Sequence, residues 1–202
     1  MASIDLKKLY KDQYTARVGK PALVTVRARP FLMIDGQGNP GTAPEYADAV
    51  GALYPLAYGI RAAIKTRTGD GYTVLPLEGL WWADDMEAFR ADRKSEWKWT
   101  LMIGLPDLAT REMADEVMPS VIAKKKLVSG DRVRLEVFEE GLAAQVMHVG
   151  PYSEEAPTIQ MLHDFITEEG LVRSGLHHEI YLGDPRKSAP EKLKTIIRQP
   201  AA

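Results

Sequence analysis

The chain has 202 residues, of which 45% are hydrophobic, enough for a substantial buried core. Its 26 lysines and arginines nearly balance its 28 aspartates and glutamates, so it lacks the basic excess typical of nucleic-acid-binding proteins. Cysteine is absent, which excludes disulfides, thiolate nucleophiles and thiolate metal ligands. No signal-peptide core and no apolar run of about 18 residues is present. We therefore predict a cytoplasmic protein that binds neither nucleic acid nor a membrane.

The first elements follow a polar N-terminal arm, residues 1–20, whose structure the sequence does not define. Apolar residues over 23–34 predict a strand, in which Pro30 indicates a bulge or an edge. A glycine-rich turn comes next. Thr42 and Glu45 then have the spacing of a capping box, and apolar residues recur every three or four positions beyond it. These features predict a long amphipathic helix.

Strand patterns over residues 72–82 and 97–104 predict an antiparallel pair. The polar segment 84–96 joins the two strands and could cover a ligand site. A helix over residues 107–127 follows, and Pro119 within it predicts a kink or a break. We expect this helix to link the two halves of the protein.

The second half repeats the order of the first. Four strands are predicted over residues 133–137, 142–149, 177–182 and 194–198. A helix is predicted between the second and the third of these strands. The pattern indicates two similar β-α-β-β units, about 21–105 and about 131–200, within one α+β domain over residues 21–202. The strands should be mostly antiparallel.

Two motifs that suggest cofactors are better explained structurally. Residues 36–41 match G-x-G-x-x-G, but the predicted helix starts after the third glycine, and no acidic residue lies near position 60 to bind a ribose. The adjacent His177 and His178 should point to opposite faces of a strand, and no H-E-x-x-H is present. No G-x-S-x-G is present either, although a Ser-His-Asp set assembled in space stays open. We expect no metal ion and no other cofactor.

Carboxylates beside aromatic residues are the strongest chemical signal. Glu78 shares a predicted strand with two tryptophans, and period two places Glu179 on one strand face with His177 and Tyr181. A strand carboxylate in a cleft can hold a cation, act as a base or orient water. The aromatic candidates for ligand binding are Trp81, Trp82, Trp99, Tyr54 and Tyr58. Taken singly, each is explained more readily by packing in the core.

Five segments carry a more specific pattern: residues 31–40, 76–82, 148–152, 177–186 and 190–200. They include a Gly-Pro-Tyr turn, a strand glutamate followed by Tyr-Leu-x-Asp-Pro, and a Pro-Glu-Lys-Leu ending. Together they resemble the GyrI-like small-molecule-binding proteins, over most of the chain beyond the arm. The resemblance implies the SOUL/GyrI-like fold, a duplicated β-α-β-β with a mostly antiparallel sheet, helices on one side and a central ligand cleft.

The resemblance also implies a function. In drug-binding relatives the glutamate matching Glu179 meets cationic ligands. The longer subgroup with Glu-Gly-Leu-Trp-Trp includes enzymes that hydrolyse the cyclopropane ring of DNA-alkylating toxins. On this basis Glu179 is the expected base and Glu78 the second candidate. Tyr152, Tyr181 or His148 would donate a hydrogen bond.

Three functions stay open at this stage. The first is a hydrolase of cyclopropanoid toxins, acting in detoxification. The second is a protein that binds hydrophobic, aromatic or cationic drugs without reaction. The third is a protein-interaction module like the gyrase inhibitor of this family, for which the sequence offers no charged or apolar patch. We expect a monomer or a weak homodimer.

Overall fold

The computed structural model of the protein describes residues 4–85, 87–90 and 93–202. Its helices are α1 (Leu6–Leu9), α2 (Pro44–Thr68), α3 (Glu87–Arg90), α4 (Arg111–Lys125) and α5 (Ala156–Glu168). Its strands are β1 (Ala22–Val26), β2 (Arg29–Gln37), β3 (Leu77–Trp82), β4 (Lys98–Gly104), β5 (Arg134–Phe138), β6 (Gly141–Val149), β7 (His177–Tyr181) and β8 (Lys194–Pro200). The composition is mixed α+β, as expected.

The chain divides into two compact units. The first is built mainly from Arg29–Leu75 and Trp81–Phe138, and the second from Tyr10–Ala28, Pro76–Leu80 and Glu139–Ala202. Each unit contains strands from distant parts of the sequence, so neither is a continuous stretch of chain.

The first unit is organised around β2. This strand pairs antiparallel with β4 on one side, where Met33 lies opposite Met102, and with β5 on the other, where Leu32 lies opposite Leu135. The first six residues of β2 are buried, and α2 packs against β2, β4 and α4. Along α2 the buried residues, such as Leu53 and Ile60, recur at helical spacing. A central strand buried on both faces thus anchors this unit.

The second unit carries strands in the order β1-β6-β8-β7, with residues 77–80 of β3 beside β7. The pairs of β6 with β1 and of β8 with β6 and β7 are antiparallel. Helix α5 covers β6 and β8 through Leu162 and Ile166, which pack in one cluster with Val146 and Ile197. This packing places the start of α5 close to the turn that follows β6.

The expected duplication is confirmed in the element order, which reads β2-α2-β3-β4 and then β6-α5-β7-β8. The predicted strand over 23–34 is two strands, and they belong to different units. β1 pairs with β6, and β5 pairs with β2, so each lies in the unit opposite to its expected half. Such long-range pairing is set by tertiary packing and leaves no local sequence signal. A single domain over 21–202 stays a prediction.

The predicted capping box was wrong, and the helix that contains Pro119 is continuous. The residue that precedes α2 is Ala43, which makes no side-chain cap, so Thr42 and Glu45 do not form the capping box. Pro44 occupies the first turn instead, where its missing N–H has no cost. Helix α4 continues through Pro119 to Lys125, so the possible break there does not occur.

Candidate functional site

Strand β7 places its residues in two alternating environments. His177, Glu179 and Tyr181 are partly buried, while His178 and Ile180 between them are fully buried. Period two of an extended strand produces this alternation, as the sequence predicts. The three partly buried side chains therefore share one face of the second unit.

Glu179 is held in place by its two neighbours on that face. Its Oε1 lies 3.1 Å from His177 Nε2, and its Oε2 accepts a hydrogen bond of 2.8 Å from the Tyr181 hydroxyl. The Glu179 side chain is 14% exposed, so it keeps limited access to solvent. Both oxygens are oriented, and the group can accept a proton or attract a cation.

Tyr152 lies in the turn after β6, and its ring packs edge-on against Tyr181 with centroids 5.6 Å apart. Burial, together with the charges of Glu155 and Glu179, raises the pKa of Tyr152 to about 12. The phenol therefore keeps its proton at neutral pH and can donate a hydrogen bond. The structure thus brings together three of the candidates from the sequence: Tyr152, Glu179 and Tyr181.

Glu155 is a residue that the sequence analysis missed. It lies directly before α5 and is only 4% exposed. Burial and the nearby charge of Glu179 raise the pKa of Glu155 to about 9. In the sequence it belongs to a Ser-Glu-Glu run that looks like a solvated turn. Its spacing of three residues from Tyr152 is the one signal that could have identified it.

His148 supports the turn that carries Tyr152. Its Nδ1 lies 3.1 Å from Thr158 Oγ1 on α5, and its Nε2 lies 3.2 Å from the Pro151 carbonyl oxygen. Both ring nitrogens are therefore engaged within the protein. This environment favours a part in positioning Tyr152 over direct donation to a ligand.

Glu78 lies in a buried polar cluster of the second unit. Its Oε1 accepts a hydrogen bond from the Tyr14 hydroxyl, and its Oε2 lies 3.2 Å from His178 Nε2. His178 Nδ1 lies 2.9 Å from Glu140 Oε1, and Arg198 donates to Glu140 Oε2 at 3.0 Å. Glu78 has no exposed surface, so the polar cluster accounts for its place in the strand, and its candidate role as a second base stays a prediction.

The ionisable groups of this cluster shift one another's pKa values toward the charged forms. Although burial opposes it, His178 and Arg198 lower the pKa of Glu140 to about 2. Burial likewise opposes the charged form of His178, but Glu140 and Glu78 raise the pKa of that imidazole. Two glutamates thus favour the charged form of His178, and Glu140 also pairs with the guanidinium of Arg198, as a buried charged group requires.

The N-terminal arm is held by the same cluster. Gln145 on β6 donates to the carbonyl oxygens of Asp12 at 2.7 Å and Thr15 at 3.1 Å, and Arg198 on β8 donates to that of Gln13. Residues 12–15 therefore have a defined place in the second unit, which the polar sequence of the arm did not indicate.

The first unit contains its own aromatic cluster. Tyr46 stacks on Trp81 with ring centroids 6.2 Å apart and meets Trp99 edge-on at 5.4 Å. Trp99 is fully buried and donates its indole N–H to the Gly38 carbonyl oxygen. Trp99 therefore lies in the core of the first unit, and its expected stacking on a ligand stays a prediction.

The other aromatic candidates of the first unit differ in exposure. Trp82 and Tyr54 are partly buried, and Tyr58 is 55% exposed on α2. The segment 84–96, a candidate cover, includes residues 86, 91 and 92, which lie outside the described residues.

Neither a membrane span nor a metal cluster is found in the described part of the chain. Across residues 4–85, 87–90 and 93–202, every helix is too short or too polar to cross a bilayer. Histidine, aspartate and glutamate side chains in the same ranges form no group of three or more that could hold a metal ion.

Comparison with known proteins places the chain in a family. Residues 19–201 match the GyrI-like small molecule binding domain. An uncharacterized conserved protein from Listeria innocua is 40% identical, with 99% of this chain and 100% of that chain covered and a TM-score of 0.91. No curated protein gave a match.

Two hydrolases from Listeria innocua are also similar in structure. One is 39% identical, covering 99% of this chain and 100% of its own, with a TM-score of 0.86. The other is 38% identical, covering 100% of both chains, with a TM-score of 0.89. With the family match extending over most of its length, this chain belongs to the GyrI-like small-molecule-binding family.

Proposed function

We propose that the protein binds flat, hydrophobic cyclopropanoid molecules beside Glu179 and hydrolyses their cyclopropane ring. The observation that carries the proposal is the carboxylate of Glu179, oriented by His177 and Tyr181 and still partly accessible to solvent. Membership of a small-molecule-binding family supports binding, and the two hydrolases at 39% and 38% identity support catalysis. Such an activity would protect the cell from alkylating toxins.

The reaction needs a base and a hydrogen-bond donor. In a substrate whose cyclopropane is conjugated to a dienone, Glu179 takes a proton from water as the water oxygen attacks a ring carbon. The strained carbon–carbon bond breaks, and its electrons pass to the carbonyl oxygen, which becomes a phenolate and then a phenol. A positioned carboxylate base typically contributes about 10²–10⁴-fold to such a step.

Tyr152 is suited to stabilise the developing negative charge on the carbonyl oxygen. Because its pKa is raised to about 12, its hydroxyl remains a donor through the neutral range. The edge-on rings of Tyr152 and Tyr181 offer an apolar border to the carboxylate.

The proposal is tested by incubating the purified protein with a spirocyclopropyl-dienone compound and following the product by mass spectrometry. Wild type is expected to add one water over many turnovers. Glu179→Gln keeps the shape of the side chain and should lose about 10²-fold or more in kcat. Glu168→Gln, which changes an exposed carboxylate on α5, is the matched control. Equal turnover by wild type and Glu179→Gln would refute the role of Glu179.

Binding without reaction is the second candidate, favoured by the negative charge around this face. The carboxylates of Glu179 and Asp184 both act on Tyr152, a setting that attracts an organic cation. In this case Glu179→Gln should weaken the binding of a cationic dye and spare that of a neutral analogue of the same shape, measured by tryptophan fluorescence. Equal losses for the two ligands would exclude a counter-charge role.

A further inference from the structure

Glu155 is buried where an ionised carboxylate is difficult to maintain. It is 4% exposed, and its Oε1 has no hydrogen-bond partner among the described residues. The groups that act on its ionisation are Glu179, which disfavours the charge, and the hydroxyl of Thr195, which favours it. A single hydroxyl does not replace the water that this carboxylate loses on burial.

Glu179 has the opposite environment. It is more exposed than Glu155, and its two oxygens contact His177 and Tyr181, which both stabilise a negative charge. Tyr152 connects the two carboxyl groups, since it packs against Tyr181 and its own ionisation responds to Glu155, Glu179 and Asp184. The side chains of Glu155 and Glu179 are themselves within hydrogen-bonding contact. When two carboxyl groups meet in this way in a protein, one of them keeps a proton.

We propose that Glu155 and Glu179 form a carboxyl pair with a single proton at neutral pH, held by Glu155, so that Glu179 alone carries the negative charge. Glu155 is then a positioning residue: it acts on the ligand only through Glu179. This inference rests on the proposed function of Glu179 and adds to it the group that sets its charge. The pKa of Glu155, raised to about 9, agrees with this assignment.

The pair has a consequence for the pH dependence of the site. As the pH rises through about 9, Glu155 ionises and a second negative charge appears beside Glu179. Tyr152 still keeps its proton there because its pKa is about 12. Turnover should therefore fall on the alkaline side with a transition that belongs to Glu155.

The protonation of the pair can be measured without any substrate. Infrared difference spectra between about pH 7 and about pH 10 should show the loss of a protonated carboxyl band in the wild-type protein. Glu155→Gln should abolish this signal, and Glu154→Gln, an exposed neighbour, should leave it unchanged. In Glu179→Gln the transition should move to lower pH, because the neighbouring charge is gone.

The opposite results would overturn the inference. A carboxyl band that persists in Glu155→Gln would place the proton elsewhere, and an unshifted transition in Glu179→Gln would mean that the two groups are not coupled. Because the infrared measurement needs no ring opening, it tests whether Glu155 and Glu179 share one proton even if the protein only binds its ligand.

Kinetics supply a second readout that a merely structural role would not move. Glu155→Ala should lower kcat for ring opening by about tenfold or more, whereas Glu155→Gln, which imitates the protonated acid, should recover most of the loss. The alkaline transition of wild type should disappear in Glu155→Gln. A Glu155→Gln variant that is as slow as Glu155→Ala, or that keeps the transition, would contradict the inference.

Discussion

Adjacent side chains of β7 lie in different environments, one in a buried polar cluster and the next on a partly exposed face. His178 enters the buried cluster with Glu78 and Glu140, whereas Glu179 points to the partly exposed face with Tyr181. The backbone of one strand therefore couples a fixed charged core to a group that can meet a ligand. Shifts of the strand would disturb both together, which makes its register a condition for function.

Removing the hydroxyl of Tyr181 tests how Glu179 is oriented. Tyr181→Phe keeps the ring and its contact with Tyr152 but deletes the 2.8 Å hydrogen bond to Glu179. A hydrogen bond to a charged group contributes about 1.5–3 kcal/mol, so kcat/KM should fall by roughly 10- to 100-fold. Steady-state kinetics would measure this, and unchanged kcat/KM would show that the bond does not orient the carboxylate.

Gly36 has a strict packing requirement. A Cβ added there would lie 2.0 Å from Cη2 of the buried Trp99. Gly36→Ala should therefore destabilise the protein by about 1–3 kcal/mol, as overpacking does elsewhere. Gly51→Ala is a matched control, since its Cβ meets nothing within 4 Å on α2, and it should stabilise by about 0.5–1 kcal/mol. Chemical denaturation measures both, and equal effects would contradict the packing of Trp99.

At the scale of elements, one polar cluster joins β6, β7 and β8 to the N-terminal arm. Arg198 contacts Glu140, Gln145 and the backbone of Gln13, while Gln145 binds two further carbonyl oxygens of the arm. Hydrogen bonds to the backbone fix a segment whatever its side chains are. This explains how a polar stretch without a strand or helix pattern has a defined position.

The cluster should be sensitive to the loss of either charge. Glu140→Gln leaves the buried guanidinium of Arg198 without its carboxylate partner, and breaking a buried pair in this way costs about 3–5 kcal/mol. The neighbouring Glu139 is exposed, so Glu139→Gln should change the free energy of unfolding by less than about 0.5 kcal/mol. Similar stabilities of the two variants in denaturant titrations would contradict the charge balance described for the cluster.

At the scale of the whole molecule, burying a protonated glutamate makes stability depend on pH. The unfolded chain loses the Glu155 proton near pH 4, whereas the folded protein keeps it until about pH 9. The bound proton of Glu155 therefore contributes fully to the stability of the folded protein below about pH 4, and this contribution is lost as the pH rises toward 9.

Glu155→Gln should consequently become more stable than wild type as the pH increases, by up to about 1.4 kcal/mol per pH unit in this window. The difference should vanish near pH 4. Thermal denaturation across the pH range, with Glu154→Gln as the reference, measures the effect. A constant difference between Glu155→Gln and wild type at all pH values would show that Glu155 is ionised in the folded protein.

Sequence reasoning identified what is encoded locally. The alternation on β7, the long helix α2 and the duplicated order of elements follow from hydrophobic periodicity, and the Gly-Pro-Tyr and Glu-x-Tyr-Leu segments indicated the family. These features depend on neighbours within a few residues, which a single sequence displays.

What could not be predicted depends on distant partners. The burial of Glu78 depends on Tyr14, 64 residues away, and the pairing of β1 with β6 spans most of the chain. Glu155 looks like a surface acid until α5 packs on β6 and β8 and encloses it. Side-chain environments of this kind arise only when the tertiary structure has formed.

The most direct test of the proposed function is ring opening of a spirocyclopropyl-dienone in water labelled with heavy oxygen, analysed by mass spectrometry. We predict one labelled oxygen in the product, many turnovers per protein molecule and loss of the reaction in Glu179→Gln. Saturable binding of the compound with an intact ring, or undiminished labelling by Glu179→Gln, would contradict it.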